Sequence, residues 1–404
     1  MSVTEGKARI PLVLFYGQSW MAANSNNGRV LTGNPCPDHA LMLDGEFGLI
    51  SNNTVAADGQ FGGFRPAVDR SPRVQTVVTP FLYRYALDAL EDGRPARIAG
   101  YSAAVSGAGL AALLPAGDPR HKASLGFNNL MAAVRGHMAA AQALGCTGYV
   151  PFVVFCQGAG DRMMPEEDYA PLLADVLDRV QTGAAEITGQ AARPHVLLVQ
   201  PPGKAHGGAW PCLQAQVTLA AARADVTLAA AGWAVDQHDR IHFSGPGAVD
   251  LGELLAVTAR ALELGRPCGA PWLRRAARDA TGAVLADIAG TGDTGLIVDT
   301  GPDSPRHRVG DATVPGFGFE FDRRDAAGVA LDGHMARLRA PEGMSPKRLS
   351  YAMHQGPDRM TDRSDKANQS ANRGNIRLAQ SWVAKLSDRH LCQWLASGRV
   401  DITG

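Results

Sequence analysis

Apolar runs alternate with amphipathic stretches over the first 264 residues of the chain. Five runs have the continuous apolar character of strands that are buried on both faces, at residues 10–16, 97–105, 149–156, 195–200 and 226–235. Helical spacing of apolar residues lies between and after them, at 80–93, 127–144, 165–180, 213–224 and 247–264. Because strands alternate with helices, we predict an α/β fold whose parallel sheet is covered by helices on both faces, in a catalytic-type domain spanning 1–265.

One long polar stretch interrupts this alternation. Residues 24–74 are rich in Gly, Asn, Asp and Pro, which indicates loop rather than regular structure. Loops of this length usually form lids or pocket walls, although a surface excursion without a function fits the composition equally well.

The pattern changes after residue 265. Short β-like runs at 284–288, 294–298, 316–321 and 348–353 are separated by turns that contain Gly, Asp and Pro. We therefore predict a small β-rich, sandwich-like domain over 272–404. The polar and charged segment 356–377 is predicted to be an exposed loop within it.

The charge balance and the cysteine spacing argue against several classes of partner and cofactor. Lys plus Arg and Asp plus Glu both number 39, and this balance argues against nucleic acid or an anionic membrane as a main partner. No apolar run approaches a membrane span, so no membrane insertion is expected. The six cysteines form no C-x-x-C pair, and we predict neither a metal nor a cofactor. The first residues lack the layout of a signal peptide, which favours a cytoplasmic location.

Candidate chemistry begins at Ser19. This serine follows the first predicted strand by a few residues, and open parallel sheets bind ligands at the carboxyl ends of their strands. A serine at that point can act as a nucleophile, or it can simply cap the next helix.

A second signal follows the last predicted strand. Asp239 and His242 are three residues apart on one turn, so one loop can supply both a base and the carboxylate that orients it. An Asp-x-x-His spacing is common in proteins without any such role, and Asp236 and His238 compete for the same assignments.

Two further strand ends carry candidate oxyanion donors. Gly107 can bring a backbone N–H close to a substrate because it has no Cβ, and Gln157 can add a side-chain amide. Ordinary turn chemistry would also place Gly and Gln at such positions. Ser19, Gly107, Gln157 and the Asp239–His242 pair nevertheless all follow strands, and in a parallel sheet those ends share one edge.

Taken together, four blocks resemble those of the SGNH hydrolases, and especially the sialic-acid-esterase-like carbohydrate esterases: residues 17–19 (GQS), 106–109 (SGAG), 157–161 (QGAGD) and 239–242 (DRIH). The resemblance covers about residues 9–264 and implies a three-layer, flavodoxin-like fold. It also implies Ser19 as nucleophile, His242 as base and Asp239 as its orienter. The oxyanion hole would comprise the N–H groups of Ser19 and Gly107 and the Gln157 side chain. The substrates implied are acetyl esters on a sugar or polysaccharide, with no cofactor and no metal.

Three departures from the family pattern affect the expected surroundings of the site. Trp20 stands where the family usually has Asn, and Ala159 stands where it usually has Glu. The second block matches only loosely, so Gly109 could replace Gly107 as donor. Gln18 and Trp20 flank the serine and are the predicted substrate contacts. A buried aromatic is the alternative interpretation for Trp20.

Two other functions compete with this interpretation. Residues 100–104 (GYSAA) resemble a nucleophile elbow, which would make Ser102 the nucleophile of an α/β-hydrolase. Alternatively, the chain is a weakly active or inactive glycan-binding or structural protein on the same scaffold. A phage tail or other virion component acting at a host surface would reconcile a polysaccharide substrate with the missing signal peptide. Oligomer formation is left open.

Overall fold

The computed structural model describes residues 8–22, 27–45, 61–69, 71, 73–202, 210–239, 241–266, 268–301, 304, 313, 315–353 and 374–404. A seven-stranded sheet is the centre of the first 263 residues. Its strands are β1 (Arg9–Gly17), β2 (Ala40–Leu43), β3 (Phe64–Pro66), β4 (Ile98–Ser102), β5 (Thr147–Cys156), β6 (His195–Gln200) and β7 (Val226–Ala231).

The strand order is β3-β2-β4-β1-β5-β6-β7, and every pairing is parallel except that of β2 with β3. The five predicted strands therefore lie side by side in the sheet, with β1 between β4 and β5. This order is that of a flavodoxin-like sheet, and its topological switch point lies beside β1. Every residue of β1 after Arg9 is buried, as its apolar sequence predicts.

Within the described residues, five α-helices accompany the sheet: α1 (Val78–Glu91), α2 (Gly126–Ala143), α3 (Glu166–Thr188), α4 (Pro211–Ala222) and α5 (Gly245–Glu263). Helix α1 packs against α5, whereas α2, α3 and α4 pack side by side. The predicted three-layer α/β fold is thereby confirmed. The stretch predicted as one long loop, 24–74, was partly wrong, because β2 and β3 extend the sheet there; residues 46–60 lie outside the described part.

The rest of the chain is β-rich, as predicted. Its strands are β8 (Trp272–Arg278), β9 (Val284–Ala289), β10 (Leu296–Val298), β11 (Phe319–Phe321), β12 (Arg324–Asp325), β13 (Gly328–Asp332), β14 (Met335–Arg339), β15 (Arg348–Tyr351), β16 (Ile376–Val383), β17 (His390–Trp394) and β18 (Gly398–Thr403). They form an eight-stranded sheet, β12-β11-β15-β18-β8-β9-β14-β13, and a three-stranded sheet, β10-β16-β17.

Two details of the β-rich part differ from the prediction. The sequence pattern did not reveal the β13–β14 hairpin, whose strands are half-exposed and lack a strong apolar alternation. Strand β16 begins at Ile376, inside the segment predicted to be a loop. The part of that segment up to residue 373 lies outside the described residues.

Buried polar contacts join the two parts of the chain. The Gln200 amide donates to the carbonyl of Ser397 at 2.8 Å and accepts from its N–H at 2.8 Å. The Trp233 indole donates to the carbonyl of Leu395 at 3.1 Å. A single hydrophobic core includes residues of both parts. The β-rich part is therefore packed onto the β7 edge, while the predicted division of the chain into two domains at 265–272 stays a prediction.

Among the residues that the structure describes, none of the helices is sufficiently long and apolar to span a bilayer.

Candidate active site

Ser19 lies directly after β1, at the carboxyl edge of the sheet. The strand ends at Gly17, whose φ is +115°, and a Cβ there would come within 2.1 Å of the Cys156 carbonyl oxygen. Only glycine fits this close approach of β1 to β5. The Gln18 N–H then donates to the same Cys156 carbonyl at 3.0 Å, which fixes the turn that presents Ser19.

The predicted base and its partner lie on residues 236–243, which we call the base loop. A β-bridge pairs Gln237 with Phe243, and the His238 N–H donates to the His242 carbonyl at 3.0 Å. Ser244 ends the loop as the N-cap of α5 and accepts from the Gly247 N–H at 3.1 Å, as expected of a serine before a helix. Arg240 lies outside the described residues.

The structure brings Ser19, His242 and Asp239 together, although Ser19 is more than two hundred positions from the other two. Ser19 Oγ is 3.1 Å from His242 Nε2, and His242 Nδ1 is 2.8 Å from Asp239 Oδ2. These distances form a continuous chain from hydroxyl to imidazole to carboxylate. Such a chain allows the imidazole to accept a proton from the serine while the carboxylate stabilises the resulting cation.

Asp239 is held as a carboxylate by its own loop. Burial on its own would raise the pKa of Asp239, but hydrogen bonds from the His242 and Ile241 N–H groups and from the His242 ring together lower it. Both N–H groups lie 2.6 Å from Asp239 Oδ1, so Oδ2 remains directed at the imidazole. The geometry fixes the orientation of the His242 ring and gives it an anionic partner.

Two side chains, Trp20 and Asn27, connect the base loop to the segment that follows Ser19. The Trp20 indole N–H donates to the Ile241 carbonyl at 2.6 Å, and its ring packs against Phe243 with centroids 6.3 Å apart. Asn27 donates to the Phe243 carbonyl at 3.3 Å and to the Gln75 carbonyl at 3.0 Å. The residue after Ser19 thus holds the loop that carries His242, which is a role for Trp20 that the sequence did not indicate.

Trp20 and Gln18 were predicted as substrate contacts, and the structure corrects both predictions. Only 4% of Trp20 and 2% of Gln18 is exposed. Trp20 is the buried aromatic of the alternative interpretation. The Gln18 side-chain oxygen accepts from the N–H groups of Gly158 at 3.0 Å and Gly160 at 3.4 Å, so it joins the first block to the third.

Gln157 also differs from its predicted role as an oxyanion donor. Its side-chain nitrogen donates to the Ala108 carbonyl at 3.0 Å and to Asp161 Oδ2 at 2.8 Å, and the residue has no exposed surface. Both amide hydrogens are therefore used inside the protein. Tyr169 donates to the remaining side-chain oxygen at 2.8 Å. Gln157 positions the second block instead of facing a substrate.

Asp161, the last residue of the third block, holds the second block in position, a role that the sequence pattern did not indicate. Its Oδ2 accepts from the Leu110 N–H at 2.6 Å as well as from the Gln157 amide. This carboxylate fastens the second block to the third. Ala159 leaves the family's usual Glu missing from the third block, and Asp161, two residues later, provides a carboxylate at this junction. The spacing gave no signal for it, because only the folded turn brings Asp161 to Leu110.

Gly107 is the predicted donor that remains exposed. Its φ is +69°, and a Cβ would meet nothing within 4 Å, so the residue lies in an open turn. Two residues earlier, the Val105 N–H donates to the Gly17 carbonyl at 2.9 Å, which places the turn beside the strand end that carries Ser19. Neither the Ser19 N–H nor the Gly107 N–H donates a hydrogen bond to an acceptor among the described residues.

Ser102, the alternative nucleophile, does not fit that role. It has no exposed surface, and its hydroxyl donates to the Met21 carbonyl at 2.6 Å. The α/β-hydrolase alternative was therefore wrong about this serine, because Ser102 is the last residue of a core strand and supports the turn after Ser19.

A cavity of about 340 Å³ lies on the other side of the base loop, where the two parts of the chain meet. Asp236 lines it, together with Asp250, Asp299, Arg377 and Trp394, whereas Ser19, Asp239 and His242 do not. Ser19, Asp239 and His242 therefore lie outside this cavity.

Solved structures give an independent view of the fold. A carbohydrate acetylesterase from Xanthomonas citri aligns with 96% of this chain and 80% of its own, with a TM-score of 0.56 and 15% identity. The chain has the fold of a carbohydrate esterase. The resemblance inferred from the four sequence blocks is confirmed at this level, and the alignment extends through the β-rich part.

Two further structures each align with a smaller share of the chain. A protein from Arabidopsis thaliana covers 63% of this chain and 98% of its own, at 15% identity and a TM-score of 0.41. A carbohydrate acetylesterase from Sinorhizobium meliloti covers 62% and 99%, at 19% identity and a TM-score of 0.33. No protein-family model matches the sequence, and no curated protein matches it significantly.

Proposed function

We propose that this protein is a serine esterase that removes O-acetyl groups from a carbohydrate through an acyl-enzyme on Ser19. One observation carries the proposal, namely the chain of contacts from Ser19 Oγ to His242 Nε2 at 3.1 Å and from His242 Nδ1 to Asp239 at 2.8 Å. Its location at the carboxyl edge of a parallel sheet, beside the switch point, supports the same function.

In the first half-reaction, Ser19 Oγ attacks the ester carbonyl while its proton moves to His242 Nε2. Asp239 accepts the Nδ1 hydrogen bond and stabilises the imidazolium. The imidazolium then donates its proton to the leaving sugar oxygen, and the acyl group stays on Ser19. In the second half-reaction, His242 takes a proton from water, the hydroxide attacks the acyl-enzyme, and acetate leaves as Ser19 recovers its proton.

The negative charge of each tetrahedral intermediate needs hydrogen-bond donors. We assign the N–H groups of Ser19 and Gly107 as the oxyanion donors, because neither group donates to an acceptor within the described residues. Gln157 and Asp161 act behind them by holding the turn that contains Gly107.

The acetylated sugar as substrate is supported by the carbohydrate acetylesterase from Xanthomonas citri, which shares the fold. The glycan-binding alternative predicts saturable binding of acetylated glycans without acetate release. A cytoplasmic location, oligomer formation and assembly into a virion stay predictions.

Acetate release from a chromogenic acetate and from a panel of acetylated mono- and polysaccharides tests the proposal. We expect Ser19→Ala to lower kcat by about 10⁴-fold or more. Ser102→Ala is the matched control and should stay within about tenfold of wild type. A fluorophosphonate should label the wild type and the Ser102 variant but not Ser19→Ala. Full activity of Ser19→Ala, or labelling that depends on Ser102, would refute the assignment.

A further inference from the structure

A second imidazole lies next to the Asp239–His242 pair and has no part in the proposed hydrolysis. His238 Nε2 is 3.4 Å from Asp239 Oδ2, the same oxygen that His242 Nδ1 contacts at 2.8 Å. The two imidazole rings are roughly parallel, with an angle of 21° between planes and 6.3 Å between centroids. Two imidazoles therefore converge on one carboxylate oxygen.

These three side chains have the chemistry and spacing of a transition-metal site. Their candidate ligand atoms all lie within 4.8 Å of one another. Zn²⁺ binds imidazole nitrogen and carboxylate oxygen at about 2.0–2.2 Å, so the ligands of a tetrahedral ion are about 3.4 Å apart. The His238–Asp239 separation of 3.4 Å matches that value, whereas the His242–Asp239 contact of 2.8 Å is a hydrogen bond that has to lengthen when an ion enters.

The site is accessible and rigidly supported. About a third of each histidine side chain is exposed, 33% for His238 and 28% for His242, so an ion can enter from solvent. The backbone contact between His238 and His242 and the N–H groups that bind Asp239 hold all three residues on one short loop. Three protein ligands and a water molecule would complete the coordination that zinc adopts in open sites.

We propose that His238, Asp239 and His242 form an inhibitory Zn²⁺ site, in which the metal competes with the hydrogen bond that orients the base. When Zn²⁺ binds His242 Nδ1, the imidazole proton moves to Nε2, and Nε2 can no longer accept the proton of Ser19. When Zn²⁺ binds Nε2, it blocks the same proton transfer directly. The metal-binding half is independent of the esterase assignment, whereas the inhibitory half rests on the proposed function.

Metal binding is tested first on the full-length Ser19→Ala protein, without turnover. Zn²⁺ titration by calorimetry should give one site, and Co²⁺ should give the absorption spectrum of a tetrahedral complex. Adding His238→Ala or His238→Gln should weaken Zn²⁺ binding by about tenfold or more, because one of three ligands is lost. His334→Ala, an exposed histidine in the β13–β14 turn, is the control and should bind normally. Unchanged affinity in both folded His238 variants would overturn the site.

Inhibition is tested separately, on variants that retain Ser19. Each rate is compared with the same variant's metal-free rate, and the Zn²⁺ concentration for half-inhibition should rise about tenfold or more in the His238 variants. Reversal of inhibition by a chelator is also expected. Zn²⁺ binding to this loop with full hydrolysis would overturn the inhibitory half. Absence of hydrolysis in the metal-free wild type would count against the esterase assignment, while the calorimetry would still decide the metal site.

Discussion

The base loop carries one aspartate on each of its two faces, and these two carboxylates have different kinds of partner. On one face, the partners of Asp239 within the described part of the chain are imidazoles and backbone N–H groups, and Ser19 lies beyond His242. On the other face, three residues earlier, Asp236 is bound by Arg389 of the β-rich part at 2.7 Å. The same guanidinium binds Asp250 of α5 at 2.8 Å.

This difference distinguishes Asp239, which is placed for proton transfer, from Asp236, whose charge stabilises the packing of the two parts of the chain. A guanidinium stays charged at every relevant pH, so Asp236 and Asp250 form a permanent link between the two parts of the chain. Burial raises the pKa of Asp250 and the Arg389 charge opposes that effect. An imidazole can both accept and donate a proton through its ring nitrogens, so Asp239 is paired with groups that can take part in proton transfer. The choice of partner, more than the acid itself, distinguishes the two faces.

Replacing the acid by its amide on each face in turn should give the largest difference between the two faces. We expect Asp239→Asn to lower kcat by about 10³–10⁴-fold, because the amide can neither fix the imidazole tautomer nor stabilise the imidazolium. Asp236→Asn should lower kcat by less than about tenfold while reducing stability. Steady-state hydrolysis of a chromogenic acetate checks both variants, and equal losses in kcat would break the comparison.

His137, which is not part of the base loop, shows how a fully buried histidine differs from the half-exposed histidines beside Asp239. His137 of α2 is fully buried and bonds the Ile10 carbonyl through Nε2 at 2.9 Å. Burial lowers its pKa to about 4 from an ordinary value of 6.5, despite that hydrogen bond. The unfolded chain therefore binds a proton more readily, and this site lowers stability as pH falls from about 6.5 toward 4.

We expect this site to cost about 2 kcal/mol of stability between pH 7 and 4.5. His137→Gln, which keeps an amide donor near Ile10, should show a correspondingly smaller loss over the same interval. Urea unfolding of both proteins at the two pH values measures the difference. A pH dependence identical in the two proteins would show that His137 makes no such contribution.

Arg389→Ala tests the structural face. Removing the guanidinium leaves two partly buried carboxylates without their cation, and we expect a loss of about 2 kcal/mol in the free energy of unfolding. The control is Arg348→Ala, since the Arg348–Asp401 pair has side chains that are 48% and 80% exposed. That exposed pair should contribute less than about 1 kcal/mol. Equal losses would mean that the Arg389 link is no stronger than a surface ion pair.

The smallest effect on activity is expected from the hydrogen bond that joins Trp20, next to Ser19, to the base loop. Trp20→Phe keeps an aromatic ring against Phe243 but removes the indole N–H that binds the Ile241 carbonyl. We expect a stability loss of about 1 kcal/mol and a fall in kcat of roughly tenfold, with KM nearly unchanged. A rise in KM alone would point instead to a direct contact between Trp20 and substrate.

The sequence predicted the parts that depend on local pattern. Continuous apolar runs such as residues 10–16 are buried wherever they pair, so the parallel sheet and its helices followed from periodicity. The short strands β2 and β3 escaped detection because they lie in a stretch of turn-forming residues, and the β13–β14 hairpin because half-exposed strands carry a weak pattern.

The sequence also predicted where the candidate site lies, since Ser19, Asp239 and His242 follow strands whose carboxyl ends must share one edge. Only the tertiary structure decided which polar groups remain free there. Gln157 was predicted as an oxyanion donor, and Gln18 and Trp20 were predicted as substrate contacts. All three instead form hydrogen bonds with backbone carbonyl or N–H groups that folding brings close. A residue's type tells which bonds it can form, whereas the partner that takes them depends on distances between segments far apart in the chain.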